Sequence, residues 1–303
     1  MKILCLHGRG TSGAIFKSQT SSIRARLADL NLDFDFLDGQ YPCTPAPGVD
    51  LFYPPPYYSY YEESPTNTTT PDSHHKTHTW LASIIAERGP YDLVLAFSQG
   101  TALAASMILL HELQAQETEF LDPDPESTGP FKSAIFICGG PSLPLLESIG
   151  YYISPHTKSR DLASRSVLSS MADSAAILSR GSSRWSSPGL DFDSPPTHPD
   201  PDHDQHPGPR VEEQLPSSFT FNKEAEIRRE IAGPVQISIP TVHIYGEKDP
   251  RYIAGIQLSE VCVRGKRKVY NHGGGHEIPR FEAVSSAIAD LVRWAVWAAR
   301  AEL

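Results

Sequence analysis

The 303-residue chain carries 26 Lys and Arg against 36 Asp and Glu, a formal net charge of −10. That balance argues against a phosphate-backbone binder, so no nucleic-acid partner is expected. Hydrophobic residues make up 39% and charged residues 20% of the chain. These shares are compatible with a globular protein but modest, so part of the chain is expected to pack poorly. The length suits one large domain or a domain with long insertions. No apolar stretch is long enough to span a bilayer, and "AIADLVRWAVWAAR" near the C-terminus is broken by Asp290 and Arg293. "MKILCLHG" offers no secretory signal, because its short apolar run leads straight into a glycine loop. The four cysteines have no C-x-x-C spacing, and Cys5 and Cys138 lie inside apolar runs. Buried free thiols in a reducing compartment follow, hence a soluble, cytoplasmic protein with no membrane contact.

Along the chain, strand, glycine turn and helix alternate. "KILCLHG" is a near-continuous apolar strand of the kind buried on both faces of a parallel sheet. The next stretch predicts a helix with Ile15, Phe16, Ile23, Leu27 and Leu30 on one side. "LDFDFLDG" (32–39) alternates like a strand. "HTWLASIIAER" (78–88) predicts a helix ending at Gly89-Pro90. "DLVLAF" is a strand, followed by a helix from Ser98 to about Leu113. "SAIFICGG" (133–140), "TVHIYGE" (241–247) and the start of "RKVYNHGGGH" (267–276) give further strands, and a helix over Phe281–Ala299 follows. The alternation predicts one α/β domain over 1–303, with a mainly parallel central sheet and helices on both faces.

Two segments interrupt it. Residues 41–75 are rich in proline and tyrosine. Proline forbids a central strand there, yet Phe52, Tyr53, Tyr57, Tyr58, Tyr60 and Tyr61 are too many aromatics for a plain linker. A lid-like loop folded over a substrate pocket is expected, with Phe52, Tyr53 and Tyr57 as its lining. Residues 157–218 form a long insert. Its first part, "LASRSVLSSMADSAAILSR", suits a helix, whereas "SPPTHPDPDHDQHPGPR" has too few apolar residues to fold. His198, His203 and His206 lie in this insert among aspartates and prolines. They read as solvated residues rather than preorganised metal ligands.

The chemistry-bearing motif is "VLAFSQGTALA" (94–104). A strand, a serine on a tight turn and a small-residue helix make a nucleophile elbow, with Ala96 and Gly100 as the small flanking residues. Ser98 alone reads equally well as a helix N-cap. A serine nucleophile needs a base, and "NHGGGHEIPR" supplies His276 at the far end of a glycine loop, with His272 as competitor. The base needs an orienting acid. Asp249 follows the strand "TVHIYGE", with Glu247 as the alternative. The order Ser98, Asp249, His276 is that of the α/β-hydrolase triad, which favours the catalytic reading. Oxyanion donors are expected at the backbone N–H groups of Gln99, at the helix start, and Arg9, in "LHGRGTSG". That loop lacks a Walker lysine and the G-x-G-x-x-G spacing. This chemistry calls for no metal and no cofactor.

Together "ILCLHGRGTSG", "FLDGQYPCTPAPGV", "YDLVLAFSQGTALA", "HIYGEKDP" and "HGGGHEIP" resemble the fungal serine hydrolase (FSH-type) family of α/β-hydrolases, over about 1–150 and 220–300. The family usually has glycine where this chain has Ala96, and the long insert departs from its pattern. The resemblance implies nucleophile Ser98, acid Asp249 and base His276. It also implies a carboxylesterase similar to the trans-acting thioesterases of fungal polyketide pathways. The substrate is then an acyl thioester or ester, and the partner is the acyl carrier domain of a polyketide synthase. Two alternatives follow: an acyltransferase that passes the chain to an acceptor other than water, including a carbon nucleophile, and a non-catalytic binding protein on a hydrolase fold.

Overall fold

The apolar runs pair into one sheet. The computed structural model describes residues 1–62, 71–119, 129–170, 227 and 230–301. Strand β1 (Lys2–Leu6) leads into short helices α1 (Gly13–Gln19) and α2 (Ser21–Ala25), then β2 (Asp33–Leu37). A two-stranded antiparallel ribbon, β3 (Tyr41–Pro42) with β4 (Tyr58–Ser59), precedes α3 (Pro71–Arg88). Next come β5 (Leu93–Phe97), α4 (Gln99–Glu119), β6 (Ser133–Ile137) and α5 (Leu143–Ser148). A second small ribbon, β7 (Tyr152–Ile153) with β8 (Ile231–Ala232), brackets α6 (Pro155–Ser170). Strand β9 (Thr241–Tyr245), α7 (Tyr252–Glu260), β10 (Arg267–Asn271) and α8 (Glu282–Ala301) follow.

The main sheet has six strands in the order β10-β9-β6-β5-β1-β2, and every pair is parallel. Strands β5, β6 and β9 are buried along their whole length, as parallel strands covered on both faces must be. Alternation divides their side chains between two cores. Leu4, Leu6, Val94, Ala96, Ala134 and Phe136 face Leu81 of α3, Leu103 and Ile108 of α4, and Leu258 of α7. Ile3, Cys5, Leu95, Phe97, Ile135, Ile137 and Val242 face Phe16, Ile23, Ile288, Val292 and Val296 on α1, α2 and α8. The architecture is that of an α/β-hydrolase fold. Among the described residues no helix is long and apolar enough to cross a membrane.

Several boundaries differ from the sequence reading. The single helix expected after β1 is two, because the chain breaks at Thr20, whose hydroxyl donates to the Phe16 carbonyl at 2.8 Å. That local bond competes with helix continuation. Helix α3 starts at Pro71 rather than residue 78, since proline is preorganised for a first helical turn. The segment 41–75 is therefore not loop throughout. Residues 41–62 hold the β3–β4 ribbon, 63–70 lie outside the described residues, and 71–75 are helical. In the insert, α6 runs through residues 162–170, whereas 171–226, with His198, His203 and His206, lie outside the described residues.

Candidate active site

Ser98 occupies the turn between β5 and α4 with φ +52°, a backbone region that non-glycine residues adopt rarely and at a cost. Its N–H donates to the Ile137 carbonyl at 2.9 Å, which ties the turn to β6. Gly100 explains how α4 starts so close to the sheet. A Cβ there would lie 2.4 Å from the Leu6 carbonyl oxygen, so only glycine fits. Ala96 is fully buried within the β5 core face, and its carbonyl accepts the Thr101 hydroxyl at 3.1 Å.

His276 lies in the loop between β10 and α8. Its Nε2 is 2.8 Å from Ser98 Oγ, and its Nδ1 is 2.8 Å from Asp249 Oδ2. With the Nδ1 proton donated to the carboxylate, Nε2 is left to accept the serine hydroxyl. The Asp249 side chain is 1% exposed and that of His276 17%. The buried carboxylate is satisfied from both sides, since its Oδ1 accepts the Arg251 N–H at 2.7 Å. The acid and base loops are held together by Lys248 N–H donating to the Gly274 carbonyl at 2.9 Å. The structure brings together Ser98, Asp249 and His276, but not their competitors. Glu247 is exposed. His272 accepts the Gly274 N–H on Nδ1 at 3.2 Å and turns Nε2 to Cys138 Sγ at 3.6 Å.

Cys138, with φ +47°, is buried beside the acid. Its sulfur, an Asp249 oxygen and a His276 nitrogen lie within 4.8 Å of one another, the one such donor group among the described residues. Burial holds the Cys138 thiol protonated by raising its pKa, and Asp249 and His276 are already bonded to each other. Of these three groups, Asp249 and His276 belong to the hydrogen-bonded row with Ser98, whereas the Cys138 thiol turns to the Glu277 carbonyl at 3.5 Å.

Gln99 is the first residue of α4, where a backbone N–H has no intrahelical acceptor. Arg9 lies in the loop after β1, bracketed by His7, whose N–H donates to the Tyr60 hydroxyl at 2.8 Å, and Gly10, whose N–H donates to the Tyr58 carbonyl at 3.0 Å. The sequence reading missed Tyr60, Ser59 and His7. Tyr60 is fully buried. The Gln99 side chain accepts the Tyr60 N–H on Oε1 at 3.0 Å and donates from Nε2 to Ser59 Oγ at 3.0 Å. His7 is held neutral, its pKa lowered to about 4 by burial, and its Nε2 accepts the Gly39 N–H at 2.9 Å. The cluster of tyrosines at 57–61 was the available signal, but it pointed equally to a lid.

The three residues expected to line a pocket lie in different surroundings. Phe52 is 78% exposed, carried outward by a turn in which the N–H groups of Phe52 and Tyr53 both reach the Val49 carbonyl. Prolines 54–56 directly after this turn prevent the chain from folding back. Tyr57 is buried and donates to the Tyr53 carbonyl at 2.7 Å. The Tyr53 hydroxyl accepts from Arg280 and lies 3.2 Å from Ser18 Oγ. Among the described residues, no hydrogen bond or ring contact joins these three to Ser98 or His276.

An elbow serine on a parallel sheet, bonded to a histidine that is bonded to an acid, defines the α/β-hydrolase class. A family model described as "Serine hydrolase (FSH1)" matches residues 1–166 and 200–288, and the chain belongs to this family of serine hydrolases. It is 28% identical over 285 residues to "Esterase FPY3" of Fusarium mangiferae, covering 92% of this chain and 89% of the relative. It is 27% identical over 311 residues to "Esterase alnB" of Emericella nidulans, covering 97% and 96%. Among solved structures, a carboxylesterase from Mesorhizobium loti aligns with a TM-score of 0.47 and 12% identity over 96% of this chain and 88% of that one. The protein is a serine hydrolase.

Proposed function

We propose that the protein cleaves a thioester or ester of an acyl chain through a covalent Ser98 acyl-enzyme. His276 Nε2 takes the proton of the Ser98 hydroxyl as Oγ attacks the carbonyl carbon. Asp249 keeps the imidazole in the Nδ1–H tautomer and stabilises the imidazolium that forms. The N–H groups of Arg9 and Gln99 hold the developing oxyanion, each donor worth a factor of about 10²–10³ in rate. The tetrahedral intermediate collapses, and the thiol or alcohol leaves with the proton from His276. His276 then deprotonates water, which attacks the acyl-enzyme and releases a carboxylic acid. The supporting observation is the unbroken relay from Ser98 Oγ through His276 to Asp249, 2.8 Å at each step, on a serine held at positive φ.

The proposed substrate is an acyl, and specifically polyketide, thioester presented by an acyl carrier domain, and the proposed setting is the cytoplasm. The FSH-type resemblance and the description of both relatives as esterases support the acyl class. Intact-mass measurement after mixing with acyl thioesters tests the reading. A transient adduct of one acyl group on Ser98 is expected, with free acid as product. Ser98→Ala is expected to abolish both adduct and turnover, and full activity in that variant would sink the mechanism. A condensed product formed when an alcohol, amine or carbon nucleophile is added would move the assignment to acyltransferase.

A further inference from the structure

The tyrosine-rich segment is built into the frame of the site. Strand β4 brings Tyr58, Ser59 and Tyr60 between the loop after β1 and the start of α4. On the loop side, Tyr58 exchanges two backbone bonds with it: Gly10 N–H to the Tyr58 carbonyl at 3.0 Å, and Tyr58 N–H to the Thr11 carbonyl at 2.7 Å. The Tyr60 hydroxyl accepts the His7 N–H at 2.8 Å and donates to the Leu37 carbonyl at 3.2 Å. On the helix side, the Gln99 carboxamide takes the Tyr60 N–H and gives a hydrogen bond to Ser59 Oγ. Ser59 Oγ in turn donates to the Tyr61 carbonyl at 2.8 Å. One short segment thus bonds the backbone of the loop that carries Arg9 and the side chain of Gln99, the two residues proposed as oxyanion donors.

We propose that the Gln99 carboxamide and the Tyr60 hydroxyl act as one clamp that fixes the spacing of the Arg9 and Gln99 N–H groups. Both side chains are positioning residues: neither contacts the reacting atoms, and each acts through a backbone amide. The inference rests on the proposed acyl-enzyme reaction and adds to it the device that preorganises its oxyanion site. Preorganisation matters because an oxyanion donor is effective only within a few tenths of an ångström of where charge develops. The clamp has the right polarity for permanence. The Tyr60 hydroxyl is held protonated by burial, so it serves as acceptor and donor at once. Each of its two partners is a backbone group that, left unpaired in the interior, carries a desolvation penalty.

Tyr60→Phe removes the hydroxyl and keeps the ring. Gln99→Met keeps the side-chain length and removes both polar ends. Each is measured against a short p-nitrophenyl ester, with active sites counted by fluorophosphonate labelling. The expected result is a loss of about 10–100-fold in kcat per labelled site with KM little changed, as for a misaligned donor. Affinity for a trifluoromethyl ketone, which forms an oxyanion on Ser98, is expected to fall by the same factor. The double variant is expected to lose little more than the worse single one, because the two side chains act in series. A residue that only stabilised the fold would instead reduce labelled sites or the unfolding midpoint and leave kcat per site intact. That outcome overturns the proposal, as do additive losses. Should Tyr60→Phe fail to fold, Gln99→Met, at a half-buried helix start, decides alone. An inactive Ser98→Ala with fully active clamp variants would remove the clamp and leave the acyl-enzyme reading standing, whereas an active Ser98→Ala removes the latter.

Discussion

Gly100→Ala tests whether the elbow depends on contact between two backbones. A methyl at residue 100 would sit 2.4 Å from the Leu6 oxygen, 2.7 Å from the Leu6 carbonyl carbon and 2.8 Å from the His7 oxygen. All three are main-chain atoms at the end of β1, and β1 is hydrogen-bonded on both sides, to β2 and to β5. The strand has nowhere to go, so α4 must back away by roughly 1 Å to restore ordinary van der Waals contact. Overpacking of this kind costs about 1–3 kcal/mol. Helix α4 begins one residue after Ser98, so the same displacement opens the 2.8 Å bond from Ser98 Oγ to His276 Nε2. A misplacement of about 1 Å at reacting groups lowers the rate about 100-fold. The stability loss is read as a lowered urea midpoint and the rate as ester hydrolysis per folded molecule. Gly265→Ala is the control, because a Cβ at residue 265 meets nothing within 4 Å, and its midpoint and rate are expected to stay unchanged. A Gly100→Ala protein with the parent's midpoint and rate would refute the reasoning.

Two further outcomes follow from buried ionisable groups. His7 and His243 are both buried, with pKa values lowered by burial to about 4 and about 3, whereas an unfolded histidine titrates near 6.5. Below that value the unfolded chain binds protons the folded chain refuses, so stability is full above about pH 6.5 and falls as pH drops toward 4. His7 alone accounts for on the order of 3 kcal/mol across that window. Urea midpoints at pH 7 and pH 4.5 check it, and a His7→Gln protein with an equally steep pH slope contradicts it. The second concerns Arg251, whose side chain is 7% exposed and pairs with Asp161 of α6 at 2.5 Å. Asp161→Asn removes the paired charge, leaves that guanidinium Ser164 Oγ at 2.9 Å and the main-chain carbonyl of residue 161 at 3.4 Å, and is expected to cost about 3 kcal/mol, as for a broken buried pair. Because the Arg251 N–H also holds Asp249, the ester hydrolysis rate is expected to fall with it. An unchanged rate would separate α6 from the acid loop.

The sheet was readable because parallel strands covered on both faces are near-continuous apolar runs, and "KILCL", "LVLAF", "SAIFI" and "TVHIY" are predominantly apolar, with few polar residues among them. The positions of Ser98, Asp249 and His276 were readable because each follows a strand end, where the fold turns its loops toward one edge. The β3–β4 ribbon was not, since two paired residues on each side carry no period and one of them is Pro42. Nor was the role of Tyr60. Its hydroxyl meets His7, 53 residues away in sequence, and no local pattern encodes such a contact. Composition made the tyrosine-rich segment look like a cover for a pocket. The structure instead divides it, with Tyr60 and Tyr61 in the core and Phe52 in solvent.

The choice between neighbouring acids shows how little side-chain chemistry decides by itself. Glu247 and Asp249 both follow β9, and either carboxylate would orient an imidazole. What separates them is the main chain. Gly246 passes so close to the His276 loop that a Cβ there would lie 2.1 Å from the Gly274 oxygen. The Asp249 N–H then closes a turn onto the Gly246 carbonyl at 3.1 Å, which folds residue 249 back against the loop it has just passed and leaves 247 on the outside of the bend. Asp249 enters a dry site where both its oxygens find partners, His276 Nδ1 and the Arg251 N–H. The longer glutamate on the outer side remains hydrated. A glycine three residues before the acid therefore selects it, and the same logic applies at Gly100 beside Ser98. In both places the side chain that meets the histidine is positioned by a neighbouring residue that has none.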